Sequence, residues 1–476
     1  MSLINPRYSS IKRLPLITMM IGVMVTVVGS FAQAAPARPN IILCMADDLG
    51  WGDTAYNGHP RILTPHLDTM ATTGVRFNRF YAAAPVCSPT RGSCLTARHP
   101  YRYGINGANS GHMPEEELTL AEALKKQGYR TGHFGKWHLG TLTKTVRDSN
   151  RGGQEKTREH YSPPWDNGFD VCFSTEAKVP TYDPMLTPIG WENNTDPEKP
   201  FGTFYWTGPE ERVTDNLEGD DSRIIMDRAI PFINEATDED APFFMVLWFH
   251  APHLPSVAGP KHREPYKDLP EEAQHYFGCI TAMDEQIGRL RDELRTLGIA
   301  ENTMLWFCSD NGPEGGTDTP ENGTTGPYRG RKRDLYEGGV RVPGLLEWPG
   351  GFPEARTIDT ASCTSDYLPT LLDVLGITIN EGQEPRDGIS LLPILKGEKM
   401  IRNAPIGFAH GTQRSWMDDQ YKLISVDNGK TFELYDLIAD PGEQANLADE
   451  FPDRVDSMKK AMAAWYKSCR DDSRGI

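Results

Sequence analysis

Short apolar runs alternate with helix-like segments along most of the chain, and each run has the length of a buried strand. Four such runs cover residues 40–45, 129–134, 243–249 and 303–308. A helix is predicted over 118–127, where Gly128 ends the helical pattern. This alternation is typical of an α/β fold. We therefore predict a large, mostly parallel central sheet flanked by helices.

The carboxyl-terminal part has a different pattern. Strand-like runs over 421–426 and 432–437 are followed by a helical pattern over 454–466. We predict a smaller subdomain of antiparallel strands and one helix, packed on the main domain. The predicted organisation is a main α/β domain over 35–402 and a C-terminal α+β subdomain over 403–476.

The first 34 residues have the pattern of a secretory signal peptide. Basic residues up to Arg13 precede an apolar stretch over 14–29, and small residues then lead to a predicted cleavage site after Ala34. An uncleaved membrane anchor is the alternative, but the stretch is short for a span and contains Pro15. The long polar region before it is typical of bacterial export. We expect a secreted, periplasmic protein without stable membrane insertion.

The formal net charge of −17 over 476 residues argues against nucleic acid as a partner. An anionic substrate would also be repelled at long range, so its site must be a local basic pocket. The 8 cysteines form no Cys-x-x-Cys pair, which disfavours a zinc or redox site built on thiolates. Disulfide pairing cannot be inferred from their spacing.

Polar side chains follow the predicted strands at the point where each strand ends. Asp47 and Asp48 follow the first run, and Asp310 and Asn311 follow the fourth. In open parallel sheets ligands bind beyond the carboxyl ends of the strands, so these oxygens are expected to meet. Hard oxygen donors favour calcium or magnesium over zinc. A single Asp-Asp or Asp-Asn-Gly is more often a turn, but two clusters at two strand ends favour a metal site.

The run that begins at Cys87 combines a thiol with a helix start. Ser88 is predicted to cap a helix whose first residue is Pro89, a position where the missing N–H costs nothing. Cys87 then lies at the positive end of a helix dipole, which favours an anionic nucleophile. The alternative is a buried, inert cysteine before an ordinary Ser-Pro cap.

These motifs, in this order, resemble the formylglycine-dependent sulfatases of the alkaline phosphatase superfamily over nearly the whole mature chain. The Cys87 run resembles the family signature Cys-x-Pro-x-Arg, which is specific by itself. The other matching motifs are Asp47-Asp48, Gly135-Lys136-Trp137-His138, His250-Ala251-Pro252-His253, Asp310-Asn311-Gly312, Gly330-Arg331-Lys332 and the segment from Asp440 to Leu447.

The resemblance implies a modified residue and a metal. A formylglycine-generating maturation enzyme would convert Cys87 to formylglycine, and Arg91 and Lys136 would position its hydrate. One calcium ion would be bound by residue 87 and four oxygen ligands, Asp47, Asp48, Asp310 and Asn311. Thr90 stands where the family often has serine, and Ala97 where it usually has glycine. We still expect modification, because maturation mainly needs the cysteine, the proline and the arginine.

The resemblance also implies roles in the reaction. The calcium-bound hydrate would attack the sulfate ester, and sulfate would then be eliminated. Lys136 and Lys332 would offset charge on the sulfuryl oxygens, His253 or Lys332 would protonate the leaving alcohol, and His138 would remove the remaining hydroxyl proton. We favour His253 over His250 as the acid and expect His250 to be a neighbour or a substrate contact.

The substrate implied by similar exported bacterial enzymes is a sulfated polysaccharide or oligosaccharide, with galactose- or N-acetylgalactosamine-type sulfate esters. The polar segment 141–222 is predicted to form the rim of its pocket. Trp165 and Trp206 are candidates to stack on sugar rings, as is Trp191, although tryptophan more often belongs to the core.

Two rival functions use the same scaffold. A phosphomonoesterase or phosphonate hydrolase is disfavoured because phosphatases of the superfamily typically present serine or threonine to two zinc ions held with histidines. A catalytically inactive protein that binds sulfated glycan is disfavoured because a pure binder needs neither a nucleophile nor an acid.

Overall fold

The computed structural model describes residues 38–316, 323–379 and 385–473. The predicted signal peptide over 1–34 lies outside these ranges. The described strands are β1 (Asn40–Asp47), β2 (Val75–Phe77), β3 (Phe80–Tyr81), β4 (Arg130–Lys136), β5 (Val171–Thr175), β6 (Tyr205–Gly208), β7 (Glu211–Arg212), β8 (Phe243–Pro252), β9 (Thr303–Ser309), β10 (Arg341–Val342), β11 (Gly344–Glu347), β12 (Arg356–Ile358), β13 (Ser362–Cys363), β14 (Ile406–His410), β15 (Gln413–Met417), β16 (Tyr421–Ser425) and β17 (Glu433–Asp436).

The described α-helices vary from single turns to seven turns in length. They are α1 (Pro65–Thr73), α2 (Cys87–Thr96), α3 (Leu120–Lys125), α4 (Asp221–Asp238), α5 (Pro260–Arg263), α6 (Glu271–Thr296), α7 (Glu337–Val340), α8 (Tyr367–Leu375), α9 (Leu392–Leu395) and α10 (Pro452–Asp472).

A ten-stranded sheet with the order β12-β2-β11-β9-β1-β8-β4-β5-β6-β7 forms the centre of the main domain. Its middle strands, from β9 through β1, β8 and β4 to β5, are parallel, whereas β11, β6 and β7 join in antiparallel pairs. The prediction of a large, mostly parallel sheet is confirmed. A second sheet, β10-β3-β13, lies in the same part of the chain.

Both faces of the central sheet are buried, which explains why its strands are apolar throughout. Along β1, Ile41 and Leu43 join one hydrophobic core, while Ile42 and Cys44 join the other. Helices α2, α3 and α8 pack into the first core, and α4 and α6 into the second. The sheet is therefore a layer between two layers of helices.

The four apolar runs are all strands, and each continues into the polar residues that follow it or stops just before them. The predicted helix over 118–127 is shorter in the structure. Thr119 caps α3 in a capping box with Glu122, and the helix ends at Lys125. Gly128 then adopts a φ of 83°, the left-handed conformation that suits glycine after a helix.

The C-terminal sheet β14-β15-β16-β17 is antiparallel throughout, as predicted. Met458 and Met462 of α10 pack against Leu423 and Leu434 of this sheet. No helix of the described ranges is both long enough and apolar enough to cross a bilayer.

A buried ammonium group joins the C-terminal sheet to the main domain. Lys422 of β16 is fully buried and lies 3.1 Å from a carboxylate oxygen of Glu337 and 3.0 Å from one of Glu443. Glu337 belongs to α7 and also accepts a hydrogen bond from Tyr81 of β3 at 2.9 Å. The contact therefore ties β16, α7 and β3 to one another.

Removing this ammonium group is expected to destabilise the protein. Lys422→Met leaves two buried carboxylates without their shared cation, which costs about 3 kcal/mol. We expect a lower urea midpoint for Lys422→Met and an unchanged one for Lys430→Met, since Lys430 is exposed. Equal midpoints for the two variants would show that the ion cluster contributes nothing net.

Candidate active site

The polar residues that follow β1, β4, β8 and β9 meet at one edge of the central sheet. The parallel register pairs Ala46 of β1 with Ser309 of β9, so the acids after the two strands come together. The backbone N–H of Asp48 donates to Asp310 Oδ1 at 3.0 Å, and that of Leu49 donates to Ser309 Oγ at 2.9 Å. The proximity of these carboxylates thus follows directly from the pairing of β1 with β9.

Three buried carboxylates at this edge are paired with three buried cations. Lys136 Nζ lies 2.6 Å from Asp47 Oδ2, and Lys332 Nζ lies 2.7 Å from Asp48 Oδ2. Arg91 Nη2 lies 2.6 Å from Asp310 Oδ2. A buried charge needs such a partner, so each side chain is held in one place by its counterpart.

The close approach of β4 to β8 positions Lys136. Gly135 has a φ of 103°, and a Cβ at this position would lie only 1.9 Å from the carbonyl oxygen of Trp248. Only glycine fits there. The backbone before Lys136 is therefore fixed, and the Lys136 side chain reaches the Asp47 carboxylate.

Cys87 is the first residue of α2, as expected for a group at a helix N-terminus. The predicted cap is wrong in detail, because Val86 precedes the helix and the Ser88 hydroxyl has no hydrogen-bond partner. The Thr90 hydroxyl instead donates to the carbonyl of Ala84 at 2.9 Å. This contact fixes the turn before Cys87.

Burial sets the protonation of the cluster. Burial and the neighbouring Asp47 carboxylate raise the pKa of Asp310 to about 7. Burial also raises the pKa of Asp47, but the surrounding cations, led by Lys136, hold it well below its usual range. Burial raises the pKa of the Cys87 thiol, and the ammonium groups of Lys136 and Lys332 offset only part of this effect. An unmodified Cys87 is therefore a protonated thiol and a poor nucleophile.

The cluster has the donors of a hard metal ion. Asp47 Oδ1 and Asn311 Oδ1 are buried and have no hydrogen-bond partner in the structure. Ligand atoms of Asp47, Cys87 and Asp310 all lie within 4.8 Å of one another. Carboxylate and amide oxygens in such a group suit calcium or magnesium. The residues present therefore fit a divalent cation.

His138 has one engaged and one unpaired ring nitrogen. Its Nε2 lies 2.9 Å from Asn109 Oδ1, which can only accept, so Nε2 carries the proton. Its Nδ1 is buried and has no hydrogen-bond partner within the described ranges. Asn109 was not predicted from the sequence, because it lies in a loop without any motif. Its role is visible only because the fold brings that loop to His138.

The two candidate histidines of the 250–253 segment have different surroundings. His253 Nε2 lies 3.5 Å from Asp48 Oδ2, at the edge of the cluster. His250 is fully buried, with Nδ1 at 2.8 Å from Asp221 Oδ2 and Nε2 at 2.8 Å from Thr175 Oγ1. The expected substrate contact by His250 is therefore corrected to a structural role, because both of its nitrogens are used inside the protein.

The tryptophans expected at the pocket rim are less accessible than predicted. Trp206 is 1% exposed, and its indole N–H donates to Asp148 Oδ2 at 2.9 Å. A sugar has no access to Trp206, so that prediction is corrected. Trp165 is half-buried against the main core, with its indole N–H 3.3 Å from the Tyr161 hydroxyl.

Glu314 is a further acid beside the cluster of buried carboxylates and cations, and it was not predicted from the sequence. Glu314 Oε2 lies 3.1 Å from Lys332 Nζ, and Glu314 also pairs with Arg333. The backbone N–H of Lys332 donates to the carbonyl of Pro313 at 3.0 Å, which holds the two segments together. Its position shortly after Asp310 in the sequence could have indicated that Glu314 lies near the site.

The carboxyl edge of the mostly parallel central sheet thus combines acids, cations and a helix-terminal cysteine. The Sulfatase family model matches residues 39–377, and that for "N-sulphoglucosamine sulphohydrolase, C-terminal" matches residues 328–468. The chain belongs to the sulfatase family, and it is a sulfuric ester hydrolase.

The relatives agree with this assignment. N-acetylgalactosamine-6-sulfatase of Mus musculus is 32% identical over 412 residues, covering 82% of this chain and 72% of the relative. Ulvan-active sulfatase of Formosa agariphila is 30% identical over 448 residues, covering 87% and 78%. The crystal structure of Ps i-CgsB in complex with k-i-k-neocarrahexaose superposes with a TM-score of 0.76 at 25% identity, covering 92% and 94%.

Loss of the Lys332 ammonium group is expected to abolish most turnover. Its side chain is 4% exposed and lies at the carboxylate edge, where a positive charge stabilises a developing anion. For Lys332→Met we expect kcat/KM on 4-nitrophenyl sulfate to fall by about 100-fold or more. Lys399→Met, at an exposed position, is the control. A loss below about threefold for Lys332→Met would exclude this role.

Proposed function

We propose that the protein is an exported sulfatase that removes sulfate esters from a glycan, using a formylglycine made from Cys87 and one bound calcium ion. The observation that carries the proposal is the meeting of three buried cations and three buried carboxylates around the start of α2. The names of the relatives support a sulfated carbohydrate as the substrate. A galactose- or N-acetylgalactosamine-type sulfate ester is the first candidate.

The metal would be held by the oxygen ligands at the ends of β1 and β9. Two of their buried oxygens, Asp47 Oδ1 and Asn311 Oδ1, have no hydrogen-bond partner among the described residues. Asp48 and Asp310 complete the set of ligands. When bound, calcium would supply positive charge to the nucleophile and to a sulfuryl oxygen.

Residue 87 would supply the nucleophile. Formylglycine provides an aldehyde whose hydrate is a better nucleophile than the buried, protonated thiol of Cys87. The start of α2 directs unpaired backbone N–H groups and the positive end of the helix dipole toward this position. Arg91, one turn further along α2, holds Asp310 and lies 3.6 Å from Asp47 Oδ1, so the helix and the ligands are aligned together.

The remaining roles belong to side chains that can hold an anion or move a proton. Lys136 and Lys332 offer two ammonium groups to the sulfuryl oxygens. Burial lowers the pKa of Lys332, but Asp48 and the other nearby acids have the larger effect and raise the pKa above its usual value. The ammonium group therefore stays charged. We expect His253 or Lys332 to donate a proton to the leaving alcohol. His138 would accept a proton at Nδ1 while its Nε2–H stays on Asn109.

The phosphatase and the inactive-binder alternatives make different demands on the site. A phosphatase of this superfamily needs a second metal set rich in histidine, whereas His250 is committed to Asp221 and Thr175. A binder has no use for the unpaired His138 Nδ1. Neither alternative explains the arrangement as well as a sulfatase does.

The chemical state of residue 87 is the first test. We expect protein produced with a formylglycine-generating enzyme to lose about 18 Da at Cys87 by peptide mass spectrometry, because an aldehyde replaces the thiol. The matured protein should release sulfate from sulfated galactan oligosaccharides and turn over 4-nitrophenyl phosphate at least about 100-fold more slowly than 4-nitrophenyl sulfate.

Cys87→Ala is the matched control, since it removes the nucleophile and leaves the cations in place. It should retain the fold and release no sulfate. Full sulfate release with an unmodified thiol would exclude formylglycine as the nucleophile. Sulfate release by Cys87→Ala would exclude residue 87 altogether. Preferred turnover of the phosphate ester would favour the phosphatase alternative.

Calcium is expected to stabilise the folded protein. Because the ligands come together only in the native state, saturating calcium should raise Tm by about 5 °C or more relative to EDTA. Asp310→Asn keeps the shape of the side chain but removes a charge, so the shift should shrink strongly. Glu301→Gln, at an exposed position, should keep the full shift. The absence of a shift in the wild type would contradict the site.

A further inference from the structure

A cavity of about 890 Å³ opens beside the reaction centre. It shares Asp48 and Glu314 with that centre and extends away from it along residues 182–191, 252–257 and the start of α6. Its volume is in the range of small-molecule sites, about 300–1,000 Å³. A group attached to a sulfate bound between Lys136 and Lys332 therefore has this cavity as adjacent space.

The cavity has an apolar wall with an aromatic ring. Trp191 lines it together with several exposed apolar side chains, including Ile189 at 63% and Leu186 at 40% exposure. Exposed apolar groups gathered in one concave surface mark a binding site rather than chance exposure. An indole ring packs well against the C–H face of a pyranose, which is apolar on one side and polar at its rim.

Trp191 has a cation–π contact with Lys178. The ammonium group of Lys178 lies 5.2 Å from the centroid of the Trp191 ring. Burial and the charges of Lys136 and Lys332 lower the pKa of Lys178. Lys178 itself is not among the described residues that line the cavity, whereas Trp191 is.

The charged residues that line the cavity in the described part of the chain are acids. They number five, and the described lining includes no lysine or arginine. Asp48 and Glu314 are paired with Lys332. Glu271 and Glu272 are exposed at the first turn of α6, where Glu271 also lies 3.5 Å from Arg263. Such a wall repels a second anionic group and tolerates hydroxyl and amide groups.

We propose that this cavity selects a neutral sugar unit, with its ring against Trp191 and without a second sulfate or a carboxylate. The inference rests on the proposed function, because it takes the substrate to be a sulfated glycan. It adds a specificity rule. The sugar units next to the scissile sulfate are uncharged, and Glu271, Glu272 and Trp191 are the residues that impose this preference.

The test measures binding separately from turnover. The inactive Cys87→Ala protein is titrated calorimetrically with a galactose-type trisaccharide that carries one sulfate, and with the same trisaccharide carrying a second sulfate on the adjoining unit. We expect the singly sulfated compound to bind at least about tenfold more tightly at low salt, with the ratio falling as ionic strength rises.

Charge-matched variants identify the residues responsible. Both double variants are made in the Cys87→Ala background. Glu271→Gln combined with Glu272→Gln should reduce the preference for the singly sulfated compound about threefold or more. Glu301→Gln combined with Glu354→Gln changes the net charge equally at exposed positions and should leave the preference unchanged. Trp191→Ala should weaken binding of the singly sulfated compound about tenfold. Melting curves confirm that each variant is folded.

Equal binding of the two trisaccharides, no binding of either at millimolar concentration, or a preference untouched by the Glu271 and Glu272 changes overturns the inference. A clear preference without any sulfate release by the matured wild type supports the inference and overturns the proposed function instead. The two failures are therefore distinguishable.

Discussion

The structure depends on a balance between carboxylates and cations that are both withdrawn from water. Asp47, Asp48 and Asp310 lie buried at one edge of the sheet, where an uncompensated charge would be strongly destabilising. Each is paired with one buried cation. Those cations come from α2, from the end of β4 and from the segment after β9, so these parts of the chain must pack at the same edge. Under the proposed function, the cations that join these elements would also receive the sulfuryl anion.

The same edge explains how an acidic protein binds an anionic substrate. With a net charge of −17, the surface as a whole repels sulfate, but the lysines and the arginine of the site are held inward by their carboxylate partners. A divalent cation at Asp47 and Asn311 would add further positive charge where the ester reacts. Beyond this point the wall becomes acidic again at Glu271 and Glu272. Under the proposed function, the cations of the site would hold the sulfate and the acidic wall would face the neutral sugar.

The sequence predicts the sheet and most of the site because both follow from local patterns. Apolar runs identify the central strands, and polar residues that follow them converge because parallel strands end at one edge. The parts that it did not predict depend on contacts between distant segments. Asn109 meets His138 through a loop, and Trp206 is buried because Asp148 accepts its N–H. The helix at Cys87 begins two residues earlier than its Ser-Pro pattern suggests, because the Thr90 hydroxyl holds the preceding turn.

The most direct test of the shared charge cluster is a crystal structure of the matured protein with calcium and inorganic sulfate. The account predicts a metal ion in contact with Asp47, Asp310 and Asn311, and a sulfate ion held by Lys136 and Lys332 beside residue 87. It also predicts that the sugar cavity next to Trp191 stays free of sulfate. A metal ion bound elsewhere, or sulfate bound at Trp191 while the lysines remain on their carboxylates alone, would contradict it.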